Sequence, residues 1–162
     1  ICEGLVGSEM CIRDSILAAL YACNIDNIII EINGPEVPIM DGSSLVFVQM
    51  IEKAKIATQQ AKIVNVNLPN YIKVEGDDGA KIEFFPQEKL EISVSIDYNS
   101  KVLPKQEYSL HNLSDFKNEI ASSRTFCFLH ELQKLTEHNL IKGGDLYNSV
   151  VFIEEDLSLI HI

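Results

Sequence analysis

Residues 90–98 read LEISVSIDY, and this stretch decides the fold class of the chain. Its apolar residues stand at every second position from Leu90 to Tyr98, with mostly polar residues between them. A period of two is typical of a β-strand with one buried face and does not fit a helix. The sequence therefore predicts a sheet that contains this strand.

Shorter alternating runs precede the strand. Apolar residues alternate over 64–68, over 72–74 and again over 82–84. The turn sequence EGDDG at 75–79 separates the last two runs, and a turn rich in Gly and Asp between alternating runs predicts a β-hairpin. We therefore expect further strands upstream of residue 90.

The first part of the chain combines a helix and a strand. Apolar residues recur at helical spacing from Ile16 to Cys23 and predict an α-helix. Residues 25–32, IDNIIIEI, then have the composition of a short, largely buried strand, which the turn sequence NGP at 33–35 ends. A helix is thus expected to lead directly into a strand.

The loop that follows is expected to cap a second helix. Glu36 and Asp41 lie five residues apart in a loop with Pro and Gly, so they fit bonds to backbone amides better than the paired carboxylates of a glycosidase. Ser43 or Ser44 is the predicted N-cap. The apolar stripe of this helix comprises Phe47, Met50, Ile51 and Ala54 and needs a sheet to cover it.

Helices and one strand are expected after residue 98. Apolar residues at helical spacing predict one helix over 113–120 and another over 128–135, and 150–153 has the pattern of a final strand. Near residues 58–61 the pattern changes from helical to alternating, and we place a domain boundary there. The fold class is therefore α+β, and we assign 16–60 and 61–156 to two different domains.

The composition is that of a globular chain. Its 162 residues are 46% hydrophobic with a mean hydropathy of +0.08, which excludes intrinsic disorder and collagen. The net charge of −11 creates no field that would attract nucleic-acid phosphates or anionic lipid. No apolar run reaches the roughly 18 residues that a membrane-spanning helix needs.

Cysteines, histidines and short motifs supply no catalytic signature by themselves. Cys23 and Cys127 lie too far apart in sequence for a CxxC site, so we expect isolated thiols in a reducing compartment. His111, His130 and His138 lack the spacing of HExxH. The chain has no GxSxG, GxxxxGK[ST] or GxGxxG sequence, so acyl-serine, P-loop and dinucleotide chemistry have no support.

Both ends resemble translated sequencing-adapter read-through. Residues 1–15 read ICEGLVGSEMCIRDS and residues 157–162 read LSLIHI. A signal peptide is the weaker alternative, because Glu3, Glu9 and Asp14 leave no apolar h-region. We therefore expect 1–15 and 157–162 to be artefacts that do not pack into the core.

Two segments resemble one enzyme family. The first is IDN at 25–27 with EINGPEVPIMDGS at 31–43, and the second is RTFCFLHEL at 124–132 with NLIKGGDL at 139–146. Together they are similar to the UDP-3-O-acyl-N-acetylglucosamine deacetylases of lipid A biosynthesis, over essentially all of 16–156. IDYNSKVL at 96–103 looks most like the branch fused to a 3-hydroxyacyl-[acyl-carrier-protein] dehydratase.

The resemblance implies a fold and a reaction. The fold has two similar α+β domains, each a sheet packed against helices, with a β-α-β insert near 124–153 in the second. Both domains are expected to be truncated here, with 16–60 as the latter half of the first and 61–156 as an incomplete second. The reaction is zinc-dependent amide hydrolysis in the cytoplasm, in which a metal-activated water attacks the acetyl carbonyl and a glutamate acts as general base. The family's Glu-His pair of base and zinc ligand falls on Asp14 and Ser15 here. The family's remaining ligands, a histidine and an aspartate four residues apart on one helix, and a further catalytic histidine are expected beyond residue 157. We therefore expect no zinc on this chain and no activity from it, although zinc is the cofactor of the full-length family.

The resemblance carries over residues on the substrate side. Thr125 matches a threonine that hydrogen-bonds the developing oxyanion, and Tyr98 and Phe126 match aromatics of the nucleotide-sugar site. The resemblance also implies an apolar passage for the acyl chain, formed by residues of the insert. The remaining substrate-binding residues, most of which belong to this passage, are Leu129, Glu131, Leu132, Leu135, Ile141, Gly144 and Ser149. Burying an acyl chain there would contribute about 0.8 kcal/mol per methylene.

Each assignment has a structural alternative. Thr125 is also compatible with a strand threonine bonded to the backbone. Tyr98 and Phe126 are also compatible with core aromatics, and the leucines with a helix face turned to the sheet. For the whole chain the alternative is a non-catalytic α+β binding module. The expected partner is UDP-3-O-acyl-N-acetylglucosamine, and we expect a monomer or a fusion with a dehydratase, with no nucleic-acid partner and no membrane span.

Overall fold

Short sheets and helices follow one another along the chain. The computed structural model describes residues 9–34, 37–64, 70–77, 79–130, 132, 147–153 and 158–160. The elements are α1 (Glu9–Ala22), α2 (Leu45–Lys53), β1 (Ile72–Glu75), β2 (Lys81–Phe84), β3 (Ile92–Ile96), β4 (Gln106–Leu110), α3 (Phe116–Glu119), β5 (Phe126–Phe128), β6 (Val150–Ile153) and β7 (Ser158–Ile160). The predicted α+β class is confirmed. Within these ranges, no helix has the length and apolar character that crossing a membrane requires.

Helix α1 confirms the predicted first helix but begins earlier, at Glu9. Ile12 is only 5% exposed, and the Ser44 hydroxyl donates to the Ser15 carbonyl oxygen at 3.0 Å. Strand β7 pairs with β6 near the other end. The expectation that both end segments stay out of the folded part is therefore wrong for these residues. The reason is local: 9–15 contains no Gly or Pro, so a packed helix continues through it.

Residues 25–32 are not a strand, and this prediction is wrong. The side chain of Ile29 is 87% exposed and that of Ile28 is 51% exposed. A strand requires a neighbour that completes its ladder of hydrogen bonds. Among the described residues, no segment pairs with 25–32, so the β-rich composition of this segment does not produce a strand.

Helix α2 confirms the predicted second helix. Its N-cap is Ser44, whose side chain makes no capping hydrogen bond. The Leu45 amide instead donates to the hydroxyl oxygen of Ser43, one residue earlier, at 3.2 Å. The predicted apolar stripe is right at Phe47, which is buried, and wrong at Met50, which is 55% exposed while Val48 is buried. The buried face is set by what α2 packs against, namely α1 and the residues after β4.

Two antiparallel hairpins form the middle of the chain. In β1–β2, Ile72 lies opposite Phe84, as the alternating runs and the glycine-rich turn predict. In β3–β4, Ile92 lies opposite Leu110, so β3 confirms the strand predicted in residues 90–98. Strand β4 was not predicted, because its sequence QEYSL lacks a clear alternation.

One buried cluster joins the helices to the region after β4. Its buried members are Ala19, Phe47, Val48, Leu110, Phe116 and Ala121. An ion pair between Lys117 Nζ and Glu52 Oε1, 2.7 Å apart, also connects α3 to α2. The cluster crosses the boundary predicted near residues 58–61, and that boundary stays a prediction.

The last sheet has the order β5-β6-β7. Strands β5 and β6 are parallel, with Phe126 opposite Val150, and β7 is antiparallel to β6. Parallel neighbours need a crossover of about a dozen residues or more, which 129–149 provides, as the implied β-α-β insert requires. Phe128 belongs to β5, so the helix predicted over 128–135 is wrong at its first residue. Leu135 lies outside the described residues.

Candidate substrate-binding site around Thr125

Thr125 lies immediately before β5 and is held through its backbone on two sides. Its amide donates to the Gly42 carbonyl oxygen at 3.3 Å, and its own carbonyl oxygen accepts from the Val150 amide at 3.0 Å. The residue is half-buried. In the described part of the chain its hydroxyl has no hydrogen-bond partner. Among the described residues, the hydroxyl bonded to backbone that the structural alternative requires is therefore not observed.

Aromatic rings from three parts of the chain meet next to Thr125. The Tyr98 ring, just after β3, lies 5.4 Å from the Phe126 ring and 5.9 Å from the Phe128 ring, centroid to centroid. Phe152 of β6 lies 5.5 Å from Phe126. These three pairs are edge-to-face, an arrangement that aromatic rings favour. The structure thus brings Tyr98 and Phe126 together, as the resemblance implies.

This aromatic cluster has a buried floor and an open rim. Phe128 is 7% exposed, whereas Tyr98 is 44% exposed and Phe126 is half-buried. The core-packing alternative therefore fits the exposed Tyr98 poorly and stays open for the half-buried Phe126. Exposed aromatic surface of this kind is suited to a ligand with a flat ring.

Three members of the cluster were not predicted: Phe128, His130 and Phe152. The His130 ring stacks on the Phe128 ring at 5.6 Å with an interplanar angle of 15°. Residues 126, 128 and 130 stand at every second position, so a period of two was present in the sequence. Phe152 is brought in by the parallel pairing of β5 with β6, which no local pattern encodes.

The predicted acyl-chain passage is only partly described. Leu129 is 44% exposed, and Ser149 is 8% exposed. Leu132 packs against Cys127 and Val151, as the alternative of a leucine facing the sheet predicts. Glu131, Leu135, Ile141 and Gly144 lie outside the described residues. The passage therefore stays a prediction.

The described residues do not fit a catalytic zinc site. Within them, no three His, Cys, Asp or Glu side chains come close enough to hold a metal ion. His111 Nδ1 lies 3.4 Å from Glu91 Oε1, at the opposite end of the β3–β4 hairpin from Tyr98. An apolar cavity of about 220 Å³ between α1, the β3–β4 hairpin and α3 contains none of the predicted site residues.

Perturbed pKa values in the described part of the chain belong to other surfaces. The Tyr71 hydroxyl, at 2.6 Å, is the main reason that the pKa of Glu83 lies below its usual value. A hydrogen bond to Glu119 raises the pKa of Tyr108, and burial raises the pKa of the Cys23 thiol. The described site therefore offers a neutral donor and aromatic surface.

Comparison with known proteins identifies the family. The family model of LpxC, UDP-3-O-acyl N-acetylglycosamine deacetylase, matches residues 7–159, which reach into both end segments. The chain is 41% identical over 145 residues to the bifunctional enzyme LpxC/FabZ of Bacteroides thetaiotaomicron, covering 88% of this chain and 31% of that protein. It is 36% identical over 145 residues to the UDP-3-O-acyl-N-acetylglucosamine deacetylase of Helicobacter hepaticus, covering 89% and 48%.

A third relative leads to the same family. The chain is 34% identical over 148 residues to the UDP-3-O-acyl-N-acetylglucosamine deacetylase of Neisseria meningitidis serogroup C, covering 89% of this chain and 48% of that protein. It thus spans from about a third to about half of the length of these relatives. The family model matches far more than half of the chain, and the chain belongs to the LpxC family of UDP-3-O-acyl-N-acetylglucosamine deacetylases.

Proposed function

We propose that this chain is part of a zinc-dependent deacetylase that removes the N-acetyl group of UDP-3-O-acyl-N-acetylglucosamine in lipid A biosynthesis. Family membership supports the substrate and the reaction. The observation that carries the proposal is the Thr125 hydroxyl, which has no partner in the described part of the chain and follows a backbone fixed at Gly42 and Val150. It precedes Phe126, whose ring contacts the exposed ring of Tyr98.

In this proposal Thr125 stabilises charge that develops during the reaction. When the acetyl carbonyl becomes tetrahedral, its oxygen acquires negative charge, and a donor already aimed at that position needs no reorganisation. The two backbone hydrogen bonds of Thr125 supply this preorganisation. Removal of one such donor costs an enzyme about 2.7–4 kcal/mol of transition-state stabilisation.

The aromatic cluster would hold the nucleotide sugar. Tyr98 and Phe126 offer ring faces to the flat base or to the apolar face of a sugar. The acyl chain would follow the passage that begins with Leu129, whose side chain is 44% exposed. Burying that side chain against an acyl chain is favourable, because it removes apolar surface from water.

Zinc and the general base are proposed to come from other parts of the full-length protein. Asp14 and Ser15 occupy the positions of the family's Glu-His pair, and neither residue is the usual group. We therefore propose that this chain alone binds no catalytic zinc and releases no acetate. The full-length protein is proposed to be cytoplasmic, and either monomeric or fused to a dehydratase. The relatives from Bacteroides thetaiotaomicron and Porphyromonas gingivalis are each named as a bifunctional enzyme LpxC/FabZ, which supports the fusion.

The test compares this chain with the full-length protein that contains it. Zinc binding is measured by calorimetry, and acetate release is measured with UDP-3-O-acyl-N-acetylglucosamine. We expect the full-length protein to release acetate, to stop when a chelator removes zinc and to recover when zinc is restored. We expect the chain alone neither to bind catalytic zinc nor to release acetate. Submicromolar zinc binding with turnover by the chain alone would refute its proposed inactivity, and a zinc-loaded full-length protein without acetate release would favour the non-catalytic binding module.

A further inference from the structure

The loop before α2 contacts the backbone at Thr125 directly. The Gly42 carbonyl oxygen accepts the Thr125 amide, and Ser43 forms an isolated antiparallel bridge with Arg124. Residues 42–43 thus lie alongside residues 124–125, just before β5 begins. None of these loop residues has a chemical role in the proposed reaction. Their contact with Thr125 therefore points to a structural role at the site.

The loop is rigid for reasons visible in its own hydrogen bonds. Asp41 Oδ1 accepts from the Ser43 amide at 3.1 Å and from the Ser43 hydroxyl at 2.9 Å. Ser43 Oγ accepts from the Leu45 amide at 3.2 Å, which connects the loop to the first turn of α2. Ser43 is 1% exposed. The loop therefore has little freedom to move relative to α2.

Gly42 also meets the segment that leads into β6. Its φ is +81°, and an added Cβ would lie 1.7 Å from the carbonyl oxygen of Asn148, far inside any permitted contact. Asn148 is 6% exposed and stands two residues before Val150, whose amide binds the Thr125 carbonyl oxygen. The loop therefore contacts both segments that fix Thr125, and only glycine fits at this position.

We propose that residues Asp41, Gly42 and Ser43 form a positioning loop that sets the location of the Thr125 hydroxyl for the oxyanion. The inference rests on the proposed deacetylase function and adds residues to it that touch no substrate. Positioning matters because a displacement of about 1 Å of a group at a reaction centre can reduce the rate by about 100-fold.

The first test uses two glycines with nearly the same φ. Gly42 and Gly79 have φ of +81° and +84°, but a Cβ on Gly79 meets nothing within 4 Å. In the zinc-loaded full-length protein, we expect Gly42→Ala to lower kcat by at least about 10-fold with KM changed by less than about 2-fold. We expect Gly79→Ala, which carries the same φ strain, to keep the parent kcat.

A second pair of variants covers the case in which Gly42→Ala does not fold. Asp41→Ala removes the acceptor that holds Ser43, whereas Asp41→Asn keeps an acceptor oxygen at the same place. We expect Asp41→Ala to lower kcat and Asp41→Asn to restore most of it. In a Thr125→Val background, Asp41→Ala should cost little more, because the hydroxyl that the loop positions is already gone.

The outcomes separate the loop from the reaction. Two results would overturn the positioning inference while the deacetylase proposal stands. In the first, Thr125→Val lowers kcat and the Asp41→Ala effect adds to it in full. In the second, Gly42→Ala keeps the parent kcat, as Gly79→Ala is expected to do. If the zinc-loaded parent releases no acetate, both are overturned. A loss of kcat in Asp41→Ala that is rescued by Asp41→Asn and absent from the Thr125→Val background supports the inference.

Discussion

Replacing Thr125 with valine tests the proposed site most directly, because valine keeps the branched shape and removes only the donor. The hydrogen bonds that hold this residue run through its amide and carbonyl, to Gly42 and Val150. Both remain in the variant. The substitution therefore separates what the hydroxyl does from what the backbone does.

The expected effects on rate and on stability differ. By analogy with loss of one oxyanion donor, kcat should fall by about 100-fold, which corresponds to about 2.7 kcal/mol, while KM barely changes. Since the hydroxyl has no partner in the described part of the chain, the free energy of unfolding should change by no more than about 0.5 kcal/mol. A threonine whose hydroxyl were bonded to backbone would instead lose about 1 kcal/mol of stability and keep its turnover.

The assay measures kcat, KM and Tm on one preparation of the zinc-loaded full-length protein. Thr125→Ser is the matched control, since it keeps the donor and removes the methyl group, and its kcat should stay well above that of Thr125→Val. An unchanged kcat in folded Thr125→Val would falsify the oxyanion role. A lower Tm with normal kcat would establish the structural alternative in its place.

Two further predictions concern the aromatic cluster and a surface carboxylate. Phe128 is 7% exposed, so Phe128→Ala should lower the free energy of unfolding by about 3–4 kcal/mol. Phe85 is 62% exposed, so Phe85→Ala should lower it by only about 1 kcal/mol. Equal losses of the two variants in urea denaturation would contradict this burial argument. The hydrogen bond from Tyr71 holds the pKa of Glu83 below 4.5. Any stability that this hydrogen bond adds is therefore present above pH 4.5 and is lost as the pH falls through the lowered pKa of Glu83. Tyr71→Phe should raise the pKa of Glu83 in an NMR titration, and an unchanged value would show that the hydrogen bond is not its main cause.

Strands were predictable where the local pattern and the pairing agree. Strand β3 follows from its alternating residues, and its neighbour β4 supplies the ladder. The sequence of β4, QEYSL, has no clear pattern of its own, and it is a strand because β3 lies beside it. Residues 25–32 are the opposite case, with β-forming residues and no paired strand among the described residues. Pairing is non-local, so alternation alone could not distinguish these segments.

Short-range polar chemistry was predictable, and the burial of helix faces was less so. Asp41 and Ser43 bond to groups within two residues of themselves, which their side-chain types favour in any loop before a helix. The face of α2 was wrong at Met50 because spacing gives several possible apolar faces. Packing against α1 chose the face with Phe47 and Val48.

The segment 31–43 carries much of the resemblance to the family, yet the resemblance assigns none of its residues to the chemistry. The contacts of Asp41, Gly42 and Ser43 explain why this segment matters without a reactive side chain. Gly42 must lack a side chain because the Asn148 carbonyl occupies that space, and Asp41 and Ser43 hold the loop that brings Gly42 to Thr125. A search for reactive side chains finds Thr125 but passes over this loop, because the loop acts through where its backbone lies.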